Sequence, residues 1–284
     1  MLGAAILWVG LATVGAGDYL RPFAAKAFDQ ATLDAEGFGD KKALKREDDG
    51  LRVTLAPGEP EAGWKTPQML RLGGDCTITV GVIAGLLRRQ PDLGLIYFDG
   101  DADLTTPDTT RSGIFDSMGM AHMIGEGDPE LAHLGPRFPL LPQDRIALFG
   151  FQPYEIEPEE ARLLEKSAML QYPVTSMDAR PAEFAAEARG RLEERAAAIA
   201  VHFDVDVMDS AEIPLANWPH YDALSFGDAM RCLRVFVASP KLAALVITEI
   251  NPDHDPEGLL VRQFIDAFAD AMLPVAANAA RFMH

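Results

Sequence analysis

Six short aliphatic runs restrict the fold more than any other feature of this chain: Ala4 to Val9, Met69 to Leu72, Leu93 to Phe98, Arg145 to Phe149, Ala198 to Phe203 and Leu242 to Thr248. Such runs suit strands covered on both faces. Longer amphipathic stretches separate them and predict helices over Thr77 to Arg89, Pro158 to Lys166, Pro181 to Arg195, Ser225 to Val237 and Pro256 to Ala279. This alternation of strand and helix predicts an α/β fold, a three-layer α/β/α sandwich around a mostly parallel sheet. With 284 residues, 48% of them hydrophobic, the chain can bury one large core, so residues 1–284 are read as a single domain. The charged, Pro- and Gly-rich stretch from Gly37 to Lys65 reads as a surface excursion.

Charge narrows the partners. A formal balance of -18 argues against phosphate backbones, hence against nucleic acid, and favours metal cations or a cationic substrate. Two cysteines, Cys76 and Cys232, are too few for a disulfide framework and imply a reducing, cytoplasmic setting. The apolar first 17 residues lack Lys and Arg and fall short of the roughly 20 needed to span a bilayer. They are read as a buried first strand and a Gly-rich loop, with no membrane partner.

In open parallel sheets, ligands gather at the carboxyl ends of strands. Here two runs end in acids: Phe98 is followed by Asp99-Gly100-Asp101-Ala102-Asp103, and Phe203 by Asp204-Val205-Asp206. Residues i and i+2 of an extended chain point the same way, roughly 6.5 Å apart, so Asp99 pairs with Asp101 and Asp204 with Asp206. Asp103 joins them only if the chain curls, as Thr105-Thr106-Pro107-Asp108 suggests. Any one of these acids has a plainer reading as a helix cap or turn starter. Five carboxylates at two strand tips would repel one another unless a cation or protonation offsets them, which points to a metal site.

Four segments in order resemble the arginase and agmatinase (ureohydrolase) family: Gly73-Gly74-Asp75-Cys76, Asp99 to Pro107, Phe203 to Asp209, and Thr248-Glu249-Ile250-Asn251-Pro252. The resemblance implies an arginase-like fold with about eight strands and a binuclear manganese centre, two Mn2+ per chain. Carried over by position, one ion would be held by Cys76, Asp99, Asp103 and Asp204, the other by Asp99, Asp101, Asp204 and Asp206. Cys76 and Asp101 stand where the family has imidazoles. The Nω-hydroxyarginine hydrolase of cycloserine biosynthesis, a ureohydrolase relative, also has Cys at the first position. Carboxylates suit manganese or magnesium while a thiolate favours zinc or ferrous iron, so the ion's identity stays open. The site is also more anionic than the family pattern, which raises the pKa of a bound water.

The resemblance further implies hydrolysis of a carbon–nitrogen bond in a small guanidino or related amidino or ureido substrate by a metal-bridging hydroxide. Glu249 would hold the guanidinium. Asp103, then Asp116, would carry the proton; Asp116 replaces a family histidine. Thr105 and Ser112 are hydroxyl donors for a polar tail. The family's acid for the substrate amino group has no counterpart near Gln152-Pro153-Tyr154 unless Glu155 swings in, so ordinary arginine is a poor match. His122 is read as a partly buried surface residue, His202 as standing behind the ligands, and Trp218-Pro219-His220 as a packed rim. The family habit of forming trimers or hexamers implies a homo-oligomer. Three lost histidines motivate the alternative, a catalytically degenerate binding or assembly subunit.

Overall fold

The computed structural model describes residues 75–178 and 180–273, and the backbone of four strands before them. Nine strands form one sheet: β1 (Ile6–Val9), β2 (Leu44–Glu47), β3 (Gly50–Val53), β4 (Met69–Leu72), β5 (Leu93–Phe98), β6 (Ile146–Phe149), β7 (Leu170–Tyr172), β8 (Ala198–Asp204) and β9 (Leu242–Thr248). Their spatial order is β2-β3-β1-β4-β9-β8-β5-β6-β7. From β1 through β7 in that order every neighbouring pair is parallel; β3 runs antiparallel to both β1 and β2.

The expected α/β fold is therefore present, with three strands beyond the six aliphatic runs: β7 at one edge of the sheet, and β2 and β3 at the other. The stretch from Gly37 to Lys65 contains β2 and β3, which extend the sheet beyond β1. Ala4 and Ala5 of the expected first strand, the Gly-rich loop, Gly73-Gly74 and the part of the expected last helix beyond Leu273 lie outside the described residues.

Helices α1 (Thr77–Leu87), α2 (Gly119–Met123), α3 (Pro129–Ala132), α4 (Pro158–Lys166), α5 (Pro181–Arg195) and α6 (Phe226–Val237) lie between the strands, and α7 (Leu259–Ala271) follows the last of them. Their starts follow local chemistry. Pro158 opens α4, where Glu157 and Glu160 form a reciprocal capping box. The Ser225 side chain accepts from the Asp228 N–H at the head of α6.

Strand alternation sorts the core onto two faces. Ile96, Phe98, Phe149, Val201, Phe203 and Ile247 pack with α5, α6 and α7, where Phe98 stands edge-on to Phe236 at 5.4 Å between ring centres. Leu95, Tyr97, Leu148 and Ala200 pack on the other side with Val80 and Ile83 of α1. Removing a buried ring such as Phe203 typically costs about 3–5 kcal/mol.

Register then positions the acids. Phe98 pairs with Phe203, and Asp204 with Thr248, while Leu72 pairs with Ile247. The carboxyl ends of β4, β9, β8 and β5 are therefore side by side. All four sequence segments singled out above begin there.

Candidate metal centre

Asp99 leaves β5 beside Asp204 at the end of β8, and both are buried. Cys76, one residue before α1, enters from the β4 side: its Sγ is 2.6 Å from Asp204 Oδ2 and 3.7 Å from Asp99 Oδ2. Thr248, the last residue of β9, donates to Asp204 Oδ2 at 2.8 Å. The other carboxylate oxygens brace the loops. Asp99 Oδ1 accepts from Asp101 N at 2.7 Å, Asp204 Oδ1 from Asp206 N at 2.8 Å, and Asp206 Oδ1 from Gly100 N at 2.9 Å.

Two histidines complete the cluster. His202 belongs to β8, which continues through Asp204, so the two residues share a strand face. Its Nε2 is 3.0 Å from Asp99 Oδ2, its Nδ1 is 2.8 Å from Thr79 Oγ1, and its ring stacks on Tyr97 at 4.1 Å. His220 arrives from the loop before α6. Its Nε2 is 3.3 Å from Asp101 Oδ2 and 3.6 Å from Asp206 Oδ2, and its Nδ1 is 3.0 Å from Glu155 Oε2. Both imidazoles are fully buried.

Asp103 is also buried but turned aside. Its backbone is left-handed (φ 52°) and its carboxylate accepts from the Tyr97 hydroxyl. Asp116 lies in a short 3₁₀ turn (Asp116–Met118), where Oδ1 accepts from Cys76 N at 2.6 Å. Glu249, directly after β9, is another left-handed residue (φ 65°), and Asn217 Nδ2 donates to its Oε2 at 2.9 Å. Such strained backbone concentrates at functional sites. Thr105 donates its hydroxyl hydrogen bond to Ser117 O, while Ser112 is exposed and its hydroxyl accepts from Ile114 N. Neither is hydrogen-bonded to the carboxylates.

Electrostatics follows from this crowding. Burial, then the charge of Asp204, pushes Asp99 well above the carboxylate range; burial and Asp99 do the same to Asp103. Burial with a neighbouring acid raises Asp204, Asp206 and Asp116 to about 7 and Glu249 to about 8. Burial and Asp204 hold Cys76 as the thiol. Burial lowers His202 to about 4 and so keeps it neutral. For His220 burial acts downward too, but hydrogen bonds to Asp101 and Asp206 outweigh it and push the ring up to about 11.

A dication would offset these shifts, because it favours the deprotonated form of every donor around it, carboxylate, thiolate or neutral imidazole. The donors fit one. Ligand atoms of Cys76, Asp99, His202 and Asp204 all lie within 4.8 Å of one another, and those of Asp101, Glu155 and His220 form a second group on the same criterion. Asp103 belongs to neither, and Asp206 touches the second group through His220.

Of the positions read from the sequence as metal ligands, Cys76, Asp99 and Asp204 fall in the first group and Asp101 in the second, Asp206 stands beside His220, and Asp103 lies apart. His202 and His220 were not among them. For His202 the usable signal was strand alternation carried to Asp204. For His220, 121 positions beyond Asp99 in the chain, the sequence held no local signal.

Fold and site define an α/β protein with a buried, acid-rich cluster, able to hold a cation, at the carboxyl edge of its sheet. The chain belongs to the arginase family, whose family model matches residues 26–273. It is 25% identical over 190 residues to an arginase of Bacillus caldovelox, an alignment spanning 66% of this chain and 62% of that relative. The chain thus matches less than two thirds of that relative's length.

Among solved structures, a Bacillus caldovelox arginase superposes with a TM-score of 0.71 at 18% identity, covering 96% of this chain and 97% of the other. Proclavaminate amidino hydrolase of Streptomyces clavuligerus gives 0.57 at 19% identity, covering 75% and 64%. At these identities the likeness is one of fold.

Proposed function

We propose that this chain is a metal-dependent hydrolase that cleaves a carbon–nitrogen bond of a small guanidino or related amidino or ureido compound. Two divalent ions, manganese foremost, would sit among Cys76, Asp99, Asp101, Asp103, Asp204 and Asp206. One observation supports this reading above others: Cys76, Asp99 and Asp204 come together, buried, at the carboxyl ends of β4, β5 and β8, with buried Asp206 beside them. Family membership and the names of its structural neighbours support it.

When bound, the ions supply an activated water and polarise the carbon under attack. The remaining work belongs to the chain. Glu249, steadied by Asn217, would receive the planar cation through charge-assisted hydrogen bonds and fix its orientation. Asp103, with Tyr97 beside it, is the first candidate to hand a proton to the leaving amine; Asp116 is the second. Thr105 and Ser112 are the candidates for holding a polar tail.

On this reading residues 1–284 act as one domain in a reducing, cytoplasmic setting, as a homo-oligomer with neither nucleic acid nor membrane as partner. Among the described residues no helix is long and apolar enough to cross a bilayer.

The test is release of urea or ammonia from a panel of guanidino, amidino and ureido compounds, run with manganese, zinc, iron and nickel in turn. Turnover of at least one compound that requires added metal is expected. Silence across the panel from a metal-loaded protein contradicts hydrolysis and favours the assembly subunit.

A further inference from the structure

The two imidazoles at the strand tips come from positions outside the motif segments. His202 lies on β8 two residues before Asp204, and His220 lies on the loop that follows Trp218 and Pro219. We propose that His202 and His220 are the imidazole donors of the metal centre, one to each ion, relocated from the positions now occupied by Cys76 and Asp101. This inference rests on the metal-dependent reading above and adds the identity of two ligands to it.

The surroundings of His202 are those of a metal-bound histidine. Such a ring coordinates through one nitrogen and gives the N–H of the other to an oxygen that fixes its tautomer. Thr79 Oγ1, at 2.8 Å from Nδ1, is that oxygen, and Nε2 is left facing Asp99 Oδ2. Tyr97, stacked within 12° of parallel, holds the ring plane. Cys76, Asp99 and Asp204 supply the other three donors of a four-ligand group.

His220 is held with equal care at the other end of the cluster. The Gln152 amide donates to Tyr221 O and to Asp222 O, both at 2.9 Å, and Ser210 N donates to His220 O at 2.9 Å, so the loop is pinned on both sides of the ring. The ring occupies space that exists only because residue 100 is glycine: a Cβ there would lie 2.5 Å from His220 Cδ2. Its Nδ1 is buried, 3.0 Å from Glu155 Oε2 but off hydrogen-bond direction and otherwise unpaired. A small rotation would let Nδ1 donate to Glu155 while Nε2 stays aimed between Asp101 and Asp206. That is the carboxylate–histidine–metal arrangement.

The test uses the full-length chain loaded with cobalt, whose paramagnetism shifts the ring N–H protons of coordinated histidines far outside the normal proton NMR window. Metal content is measured on the same samples. The wild type is expected to hold two ions and to show two shifted, exchangeable N–H signals. His202→Gln and His220→Gln are each expected to lose one signal and to weaken one ion by more than the 10- to 100-fold typical of losing an outer partner. His133→Gln, at an exposed histidine, is expected to change nothing. Metal-loaded wild type without shifted imidazole signals overturns the inference and leaves the metal centre standing, and so does retention of both signals in either variant. Failure of the wild type to bind cobalt or manganese overturns both. The wild-type spectrum decides even where a variant does not fold.

Discussion

The ring of His220 stands against the α-carbon of Gly100, in the space a side chain at that position would fill. Sequence positions far apart are thereby interlocked: the glycine in the middle of Asp99-Gly100-Asp101 is what admits an imidazole to the acidic cluster. Gly100→Ala should push the ring out. We expect a loss of about 1–3 kcal/mol in stability, as for other overpacked sites, and weaker binding of one metal ion. Thermal unfolding and metal titration of the variant check this, and unchanged metal affinity would show that the ring does not serve the site.

Asp204 makes opposite contributions to stability and function. It is buried against other acids, with Thr248, the Cys76 thiol and Asp206 N as its hydrogen-bond donors. Asp204→Asn should therefore leave the metal-free protein no less stable than its parent, because one buried charge is gone. The same change should abolish the metal-induced rise in melting temperature and cut turnover by roughly 100- to 1,000-fold or more. Retained metal-dependent turnover would contradict the assignment.

The pH dependence of the metal-free protein has a definite sign. Asp204, Asp206 and Asp116 titrate at about 7 in the fold, and Glu249 at about 8, against ordinary values of 3.8 and 4.5. Between those limits the folded chain keeps protons that the unfolded chain has released, so stability is full at low pH and falls as pH rises. His202, lowered to about 4 from 6.5, acts oppositely, but only between those two values. Above pH 6.5 the carboxylates act together with His220, which is raised from 6.5 to about 11 and so also loses stabilisation as pH rises. The melting temperature of the metal-free protein should drop from about pH 6.5 to about pH 8.5, while the stabilisation by saturating manganese grows over the same interval, since metal competes with those protons. A metal-free melting temperature that climbs across this range would refute the picture.

Asn217 offers a way to separate substrate binding from metal binding. It donates to Glu249 and accepts from Asn251 Nδ2 at 2.6 Å, so it fixes the carboxylate from outside the metal cluster. Hydrogen bonds to charged groups are worth about 1.5–3 kcal/mol. Asn217→Ala should raise KM for a guanidino substrate by roughly 10-fold or more, with kcat and metal content little changed. Steady-state kinetics beside metal analysis decides it; a fall in kcat alone would remove Asn217 from this role.

Much of this was readable in the residues. β4, β5 and β9 coincide with their aliphatic runs, and the two acid tips stand where the runs of β5 and β8 stop. β7 was not legible because it has three residues with a polar one at its centre, Gln171, paired on one side only. β2 and β3, Leu-Lys-Arg-Glu and Gly-Leu-Arg-Val, carry too few apolar residues to stand out from a charged loop.

In the site, the direction of His202 depends on whether its strand stays regular to the end. It does, through Asp204. His220 is placed by tertiary packing: the carbonyls after it accept from Gln152, and its ring needs the empty face of Gly100. No periodicity encodes that. Asp103 shows the reverse case. Its position in the motif suggests a metal ligand, yet a left-handed backbone aims its carboxylate at Tyr97.

The most direct test is diffraction from crystals grown with excess manganese and measured at the manganese absorption edge. Two anomalous peaks about 3.5–4 Å apart, enclosed by Cys76, Asp99, Asp204 and Asp206, are the expected result. No peak among these residues, with their carboxylates turned away from one another, would contradict a cation centre at the edge of this sheet.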